Sequence, residues 1–61
     1  MNILVTNFDN SYEDVMIFTE KEHITPEWVS NKLTKQNKPF TEVYEVQDNE
    51  LSSYLYEPCY M

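Results

Sequence analysis

Apolar residues in the first twenty positions fall into two short runs separated by a polar cluster. The runs cover residues 2–8 (NILVTNF) and 14–20 (DVMIFTE), and both are rich in β-branched and aromatic side chains. Residues 9–13 (DNSYE) lie between them and have the composition and length of a hairpin turn. The pattern predicts an antiparallel β-hairpin.

The second run is apolar on both faces. Side chains alternate along a strand, so Val15 and Ile17 share one face while Met16 and Phe18 share the other. A central strand has this pattern, and so does a sheet whose second face is covered by a partner. Because the chain is also rich in tyrosine, we predict a homodimer.

Residues 25–39 carry the signals of a helix and of both its ends. Thr25 is a typical N-cap residue, and Pro26 suits the first helical position. We expect the helix to reach about Gln36, because Asn37 tolerates a left-handed conformation and Pro39 prevents continuation. Two apolar residues form its inward stripe: Val29 and Leu33.

A third strand is predicted over residues 40–46 (FTEVYEV), with Phe40, Tyr44 and Val46 on one face. Asp48 then suits the start of a short C-terminal helix through Tyr56, and the alternative is an extended aromatic tail over residues 54–61 (YLYEPCYM). The fold class is therefore α+β: a single domain, residues 1–61, with ββαβ order. A three-stranded, mainly antiparallel sheet packs on one helix.

Charge narrows the choice of partner. Eleven Asp and Glu residues oppose four Lys and no Arg, which gives a net charge of −7. Nucleic acids and anionic membranes are bound by cationic side chains, so direct binding to either is not expected. A negative field instead steers a domain towards a basic surface. The alternative is that the acidic residues serve only solubility.

Enzymatic chemistry has no recognisable basis in this sequence. Glycine is absent, which removes the phosphate-binding loops that depend on it. His23 and Cys59 are the only residues of their kinds, so neither a metal site nor a catalytic triad is expected. We expect no enzyme activity and no cofactor. No run is apolar enough for a signal peptide or a membrane span, and the expected location is the cytoplasm.

Two pairs of carboxylates have the spacing of neighbours on one side of a strand. Glu20 and Glu22 form one pair, and Asp48 and Glu50 form another if the third strand continues that far. Such residues lie about 6.7 Å apart, a spacing comparable to that of successive phosphates. An ordinary solvated acidic face is the alternative. The predicted partner-binding residues are Asp9, Glu13, Asp14, Glu20, Glu22, Glu42, Glu45, Asp48, Glu50, Tyr54 and Tyr56.

Tyrosines of the C-terminal region provide a second basis for binding. Tyr54, Tyr56 and Tyr60 exceed what so small a core can hold, and tyrosine is enriched at protein interfaces. An adaptor or regulatory subunit that binds a protein through this segment, without mimicry of nucleic acid, is therefore the alternative function.

In composition, the whole chain resembles the very small acidic proteins that bacteriophages encode to disable host factors. These include inhibitors of nucleoid proteins, of uracil-DNA glycosylase, and of restriction or CRISPR effectors. The resemblance implies a DNA or RNA mimic that occupies the basic groove of a nucleic-acid-binding protein, such as a nucleoid protein, a nuclease or a CRISPR-type effector, in the cytoplasm of the host cell. It assigns no role to a particular residue.

Overall fold

The computed structural model describes all 61 residues and contains one sheet, one α-helix and two short 3₁₀ helices. The strands are β1 (Asn2–Val5), β2 (Val15–Phe18), β3 (Val43–Val46) and β4 (Glu57–Tyr60), and the helix is α1 (Pro26–Lys35). The 3₁₀ helices span Phe8–Asn10 and Asp48–Ser53. The α+β class is confirmed.

The sheet has four strands in the order β3-β1-β2-β4. β1 pairs antiparallel with β2 and with β3, which confirms the hairpin, whereas β4 pairs parallel with β2. The expectation of a three-stranded, mainly antiparallel sheet was wrong in this respect. The fourth strand was missed because its four residues, EPCY, include a proline and lack the alternation that marks a strand.

Helix α1 begins and ends where its capping residues place it. The Thr25 hydroxyl accepts a hydrogen bond from the Trp28 backbone N–H at 3.1 Å, and Pro26 is the first helical residue. At the other end Asn37 has φ 56°, and the Lys38 N–H donates to the Leu33 carbonyl at 3.0 Å. This is a Schellman ending in which asparagine takes the place of glycine. None of the helices has the length and apolar composition that a membrane span needs.

The first face of the sheet packs against α1. Ile3, Val5 and Ile17 from the hairpin meet Val29 and Leu33 from the helix, and all five are buried. The predicted inward stripe of the helix is thereby confirmed. Ile24, which precedes the N-cap, is 2% exposed and closes the end of this cluster.

The second face is covered by the chain's own residues 47–56, which we call the strap. Because β3 and β4 lie at opposite edges, the strap crosses the sheet to join them. Leu51 and two tyrosines of the strap pack against Leu4, Met16 and Val46, and Met16 is fully buried. The double apolar face of β2 is thus accounted for within one copy of the chain. The homodimer stays a prediction.

Two local expectations need correction. The C-terminal helix is a 3₁₀ helix that stops at Ser53, before the extended segment that leads into β4.

The third strand begins at Val43 rather than Phe40. Phe40 packs with the helix-side cluster while Tyr44 packs on the strap side, so the two do not share a face. The Thr41 N–H donates to the Thr6 carbonyl, and the Glu42 N–H turns to the Thr6 hydroxyl, which breaks the regular ladder here.

Asn37 provides a test of the helix ending. Replacing Asn37 by alanine should lower the free energy of unfolding by about 1 kcal/mol, because a Cβ without a polar side chain is unfavourable in the left-handed region. Replacing it by glycine should leave stability unchanged or slightly raised. Urea unfolding of the two variants beside the wild type checks this. Equal stability of the alanine and glycine variants would contradict the left-handed ending.

Candidate partner-binding surface

The first predicted carboxylate pair does not lie on a strand. β2 ends at Phe18, and the hydroxyl of Thr19 accepts the Lys21 N–H at 3.1 Å, which turns the chain. Glu20 and Glu22 are exposed in the connection to α1. The prediction that they form a row along a strand was wrong, because the chain must bend here to bring Ile24 into the core.

The second pair is also not on a strand. Asp48 and Glu50 lie in the 3₁₀ helix with which the strap begins, and the Glu50 N–H donates to the Gln47 carbonyl at 2.9 Å. The Asp48 carboxylate accepts a hydrogen bond from the side-chain amide of Asn2, which also donates to the Val46 carbonyl at 3.2 Å. Asp48 therefore anchors the strap to β1. The alternating side-chain spacing of a strand ends with β3 at Val46, so Asp48 and Glu50 do not form a row.

Acidic and aromatic side chains do meet at the end of the sheet that carries the β1–β2 loop. A groove of about 450 Å³ lies there, between that loop and the chain entering β4. Its lining contains three carboxylates and no lysine. We call it the acidic groove, and its six residues are Tyr12, Glu13, Asp14, Leu55, Tyr56 and Glu57.

Backbone pairing holds the two walls of the acidic groove together. The Glu57 N–H donates to the Asp14 carbonyl at 2.8 Å, which starts the parallel ladder between β2 and β4. The Asp14 carboxylate accepts the Asn7 N–H at 3.1 Å, and the Glu13 carbonyl accepts the Phe8 N–H at 3.0 Å. The side chains of the groove are therefore placed by the sheet, although most of them belong to loops.

Two large side chains of the acidic groove project into solvent. Tyr12 is 90% exposed and Leu55 is 93% exposed, the two highest exposures among the large apolar residues. Tyr12 also has φ 60°, a left-handed conformation that is rare for a bulky residue. A backbone held in an unfavourable region while its side chain makes little contact with the fold is typical of a binding site.

Beside the acidic groove, Tyr44 and Tyr54 extend the aromatic surface across the second face. The neighbouring Tyr54 side chain, partial burial, and the negative charges of Glu42 and Asp14 raise the pKa of the Tyr44 hydroxyl above its ordinary value of 10.0. Glu42 and Asp14, which directly precede β3 and β2, thus both act on this tyrosine. Tyr56 links this surface to the groove, since it packs in the same cluster as Tyr44 and Tyr54.

The structure brings only part of the predicted set together. Glu13, Asp14 and Tyr56 line the acidic groove, and Tyr54 packs in the same cluster as Tyr56. Glu42 is exposed directly before β3. The others lie apart from it. Asp9 is exposed in the β1–β2 loop, Glu45 is exposed on β3, and Glu20, Glu22, Asp48 and Glu50 have the positions given above.

Sequence reasoning missed three residues of the acidic groove. Tyr12 and Leu55 were not chosen as binding residues, and Glu57 was omitted from the acidic set. Leu55, Tyr56 and Glu57 place an apolar, an aromatic and an acidic side chain in succession directly before Pro58. This combination was a usable signal of a binding segment. What brings it to Tyr12 is the parallel pairing of β4 with β2, a contact between distant parts of the chain.

The largest concavity of the surface has a different character. It measures about 570 Å³ and lies at the opposite end of the sheet, where Glu20 and Lys21 are neighbours. Adjacent charges of opposite sign reduce the net field there. No group of three or more His, Cys, Asp or Glu side chains is placed to hold a metal ion. Of the concavities of the surface, the acidic groove has the most carboxylates in its lining.

Comparison of the chain with protein-family models, with curated proteins and with solved structures found no match.

The strained backbone of Tyr12 gives a test of its role. Replacing Tyr12 by glycine should raise the free energy of unfolding by about 1 kcal/mol, because glycine adopts the left-handed region without the cost that other residues bear. Thermal or urea unfolding measures this. Leu55→Ser, at an equally exposed position of the groove, should leave stability within about 0.5 kcal/mol. A destabilised glycine variant would show that the Tyr12 side chain supports the fold.

The pKa of the Tyr44 hydroxyl tests which neighbouring groups act on it. Tyr54→Phe should lower the Tyr44 pKa the most, and Glu42→Gln should lower it less, because Tyr54 makes the largest contribution. Carbon NMR of the tyrosine rings during alkaline titration measures the shift. Since the folded state binds this proton more tightly than the unfolded chain, its stabilising contribution is complete below pH 10 and is lost as the pH rises through the raised pKa. An unchanged pKa in Tyr54→Phe would contradict the arrangement.

Proposed function

We propose that this protein is a small acidic inhibitor that binds a basic nucleic-acid-binding protein and occupies the groove in which that partner holds DNA or RNA. The observation that carries the proposal is the acidic groove, where Glu13, Asp14 and Glu57 surround the exposed Tyr12 and Leu55. The partner is a nucleoid protein, a nuclease or a CRISPR-type effector, and the proposed place of action is the cytoplasm of a host cell.

The chemistry of the groove supports a cationic partner. Arginine and lysine side chains that bind phosphates also bind carboxylates, because both are compact anions with several acceptor oxygens. None of the four lysines of this chain lines the acidic groove to compete for its carboxylates. The net charge of −7 adds a long-range attraction that speeds association with a basic surface.

The exposed apolar side chains support a protein partner rather than a mobile cloud of cations. Interfaces derive most of their binding energy from a few large anchors surrounded by polar groups. Tyr12 and Leu55 fit this description, since they share the lining of the groove with three carboxylates. The proposed mimicry accordingly resides in a cluster around two anchors, not in rows of carboxylates along a strand.

An adaptor that binds through the same apolar residues is the second candidate, and the exposure of Leu55 favours it. The two functions differ in their response to salt. Binding driven by carboxylates weakens as ionic strength screens them, whereas binding through Leu55 and the tyrosines does not. Removal of the C-terminal residues does not separate the candidates, because the strap and β4 belong to the sheet and its core.

Two charge-matched double variants test the proposal. Glu13→Gln with Glu57→Gln removes two charges from the acidic groove, and Glu20→Gln with Glu22→Gln removes two from the opposite end. After affinity capture of the partner from a bacterial lysate at low salt, the first variant should bind it roughly a hundredfold more weakly, a loss of about 3 kcal/mol. The second should differ by less than about threefold, since distant charges affect mainly the rate of association.

Competition decides between the two functions. Unlabelled DNA or RNA should displace the wild-type protein from the captured partner, and raising the salt concentration should weaken binding steeply. Leu55→Ser should weaken binding under both functions, so it tests whether the acidic groove is the binding surface at all. Simultaneous binding of nucleic acid and this protein, or an affinity that ignores salt, would reject the inhibitor and favour the adaptor.

A further inference from the structure

The outer edge of β3 presents backbone groups that nothing in the chain pairs. The Thr6 N–H donates to the Glu42 carbonyl at 2.9 Å, and Tyr44 and Val46 lie opposite Leu4 and Asn2 in the same ladder. Successive residues of a strand direct their backbone groups to opposite sides. The N–H and C=O groups of Val43 and Glu45 therefore point away from β1, and no hydrogen bond to them occurs in the remaining network.

The residues of β4, which forms the opposite edge of the sheet, disfavour the addition of a further strand. The N–H groups of Glu57 and Met61 donate to carbonyls of Asp14 and Phe18, so Pro58 and Tyr60 direct their backbone groups outward. Pro58 has no N–H to offer an incoming strand, and proline on an edge is a common means of preventing strand addition. Of the two edges, only that of β3 retains a full set of donors and acceptors.

Carboxylates flank the open edge on both faces of the sheet. Val43 packs with the helix-side cluster and Tyr44 with the strap-side cluster, so by alternation Glu45 lies on the helix side and Glu42 on the strap side. Both glutamates are exposed. A strand added beside β3 would place its side chains about 5 Å from these residues, and lysine or arginine on either of its faces would meet a carboxylate.

We infer that the outer edge of β3 accepts an extended basic segment of the partner as a fifth strand. The inference rests on the proposed function and specifies its mode of binding: main-chain hydrogen bonds fix the segment, and Glu42 and Glu45 select its charge. The edge and the acidic groove are connected through the residues directly after β1: the Thr6 N–H donates to the Glu42 carbonyl at 2.9 Å, and the next N–H, that of Asn7, donates to the Asp14 carboxylate at 3.1 Å. A second copy of the chain is a poorer occupant, because two molecules of charge −7 repel and each brings the same glutamates.

A synthetic peptide tests the edge directly on the wild-type protein. The probe is Thr-Lys-Val-Lys-Lys-Val-Thr with blocked termini, which carries lysine on both faces of a strand. In hydrogen-exchange NMR at low salt, the amides of Val43 and Glu45 should exchange at least about tenfold more slowly with the peptide present. Those of Tyr44 and Val46, already paired with β1, should change little. N-methylation along both backbone edges of the peptide should abolish the effect without changing its charge, because a strand with lysine on both faces can turn either edge towards β3.

A substitution in the protein provides a second measurement. Glu45→Pro removes the outward N–H without removing a bond to β1, in the way that Pro58 does on β4, and Glu45→Gln controls for the lost charge. The proline variant should bind the peptide at least about tenfold more weakly than the glutamine variant. If Glu45→Pro fails to fold, the methylated peptide still decides the matter. Equal protection of Val43 and Glu45 by the methylated and the unmethylated peptide would overturn the inference.

The remaining outcomes separate this inference from the proposed function. Peptide-induced changes at Tyr12, Asp14 and Leu55, without protection of the β3 amides, would overturn strand addition and leave the acidic groove as the binding surface. No binding at low salt on either surface would count against both. Protection of Val43 and Glu45 in the absence of peptide, increasing with protein concentration and with salt, would identify a second copy as the occupant and overturn the basic segment.

Discussion

The rest of the structure depends on the burial of both faces of β1 and β2. Ile3, Leu4, Val5 and Met16 are at most 1% exposed, although they point alternately to opposite sides of a thin sheet. Burying apolar surface on only one side would leave a 61-residue chain with little stability, since small domains already bury a modest share of their surface. Each face therefore needs a cover, and the two connections that cross the sheet, α1 and the strap, provide the two covers.

This arrangement leaves most of the carboxylates at the ends and edges of the sheet. The apolar residues are used almost entirely in two clusters, so the carboxylates remain in the loops, on the strap, on α1 and on the edge strands β3 and β4. The β1–β2 loop and the entry to β4 meet at one end because β4 runs parallel to β2. The acidic groove is thus a consequence of strand order, and the apolar residues that project from it, Tyr12 and Leu55, are those that neither cluster can hold.

Local signals were sufficient for about half of this structure. Thr25, Pro26 and Asn37 act on their own neighbours, which is why the helix and both its ends were predicted correctly. The hairpin followed in the same way from two β-rich runs and the polar cluster between them. The path of the strap and the pairing of β4 could not be predicted, because they depend on covering Met16 and on contact with Val15, residues far away in the chain. The carboxylate rows failed for the same reason, since Thr19 and Gln47 begin turns that only the crossing connections require.

The late position of β4 in the chain has a consequence for folding. Pairing of β2 with β1 closes a short loop, whereas pairing with β4 must wait until the strap has crossed the sheet, and long loops close more slowly. Until then, the apolar run from Val15 to Phe18 is an uncovered edge of the kind that joins unfinished chains into aggregates. Mutual repulsion between molecules of charge −7 opposes that encounter. The acidic residues thus oppose aggregation of the folding chain, independently of any partner that the folded domain binds.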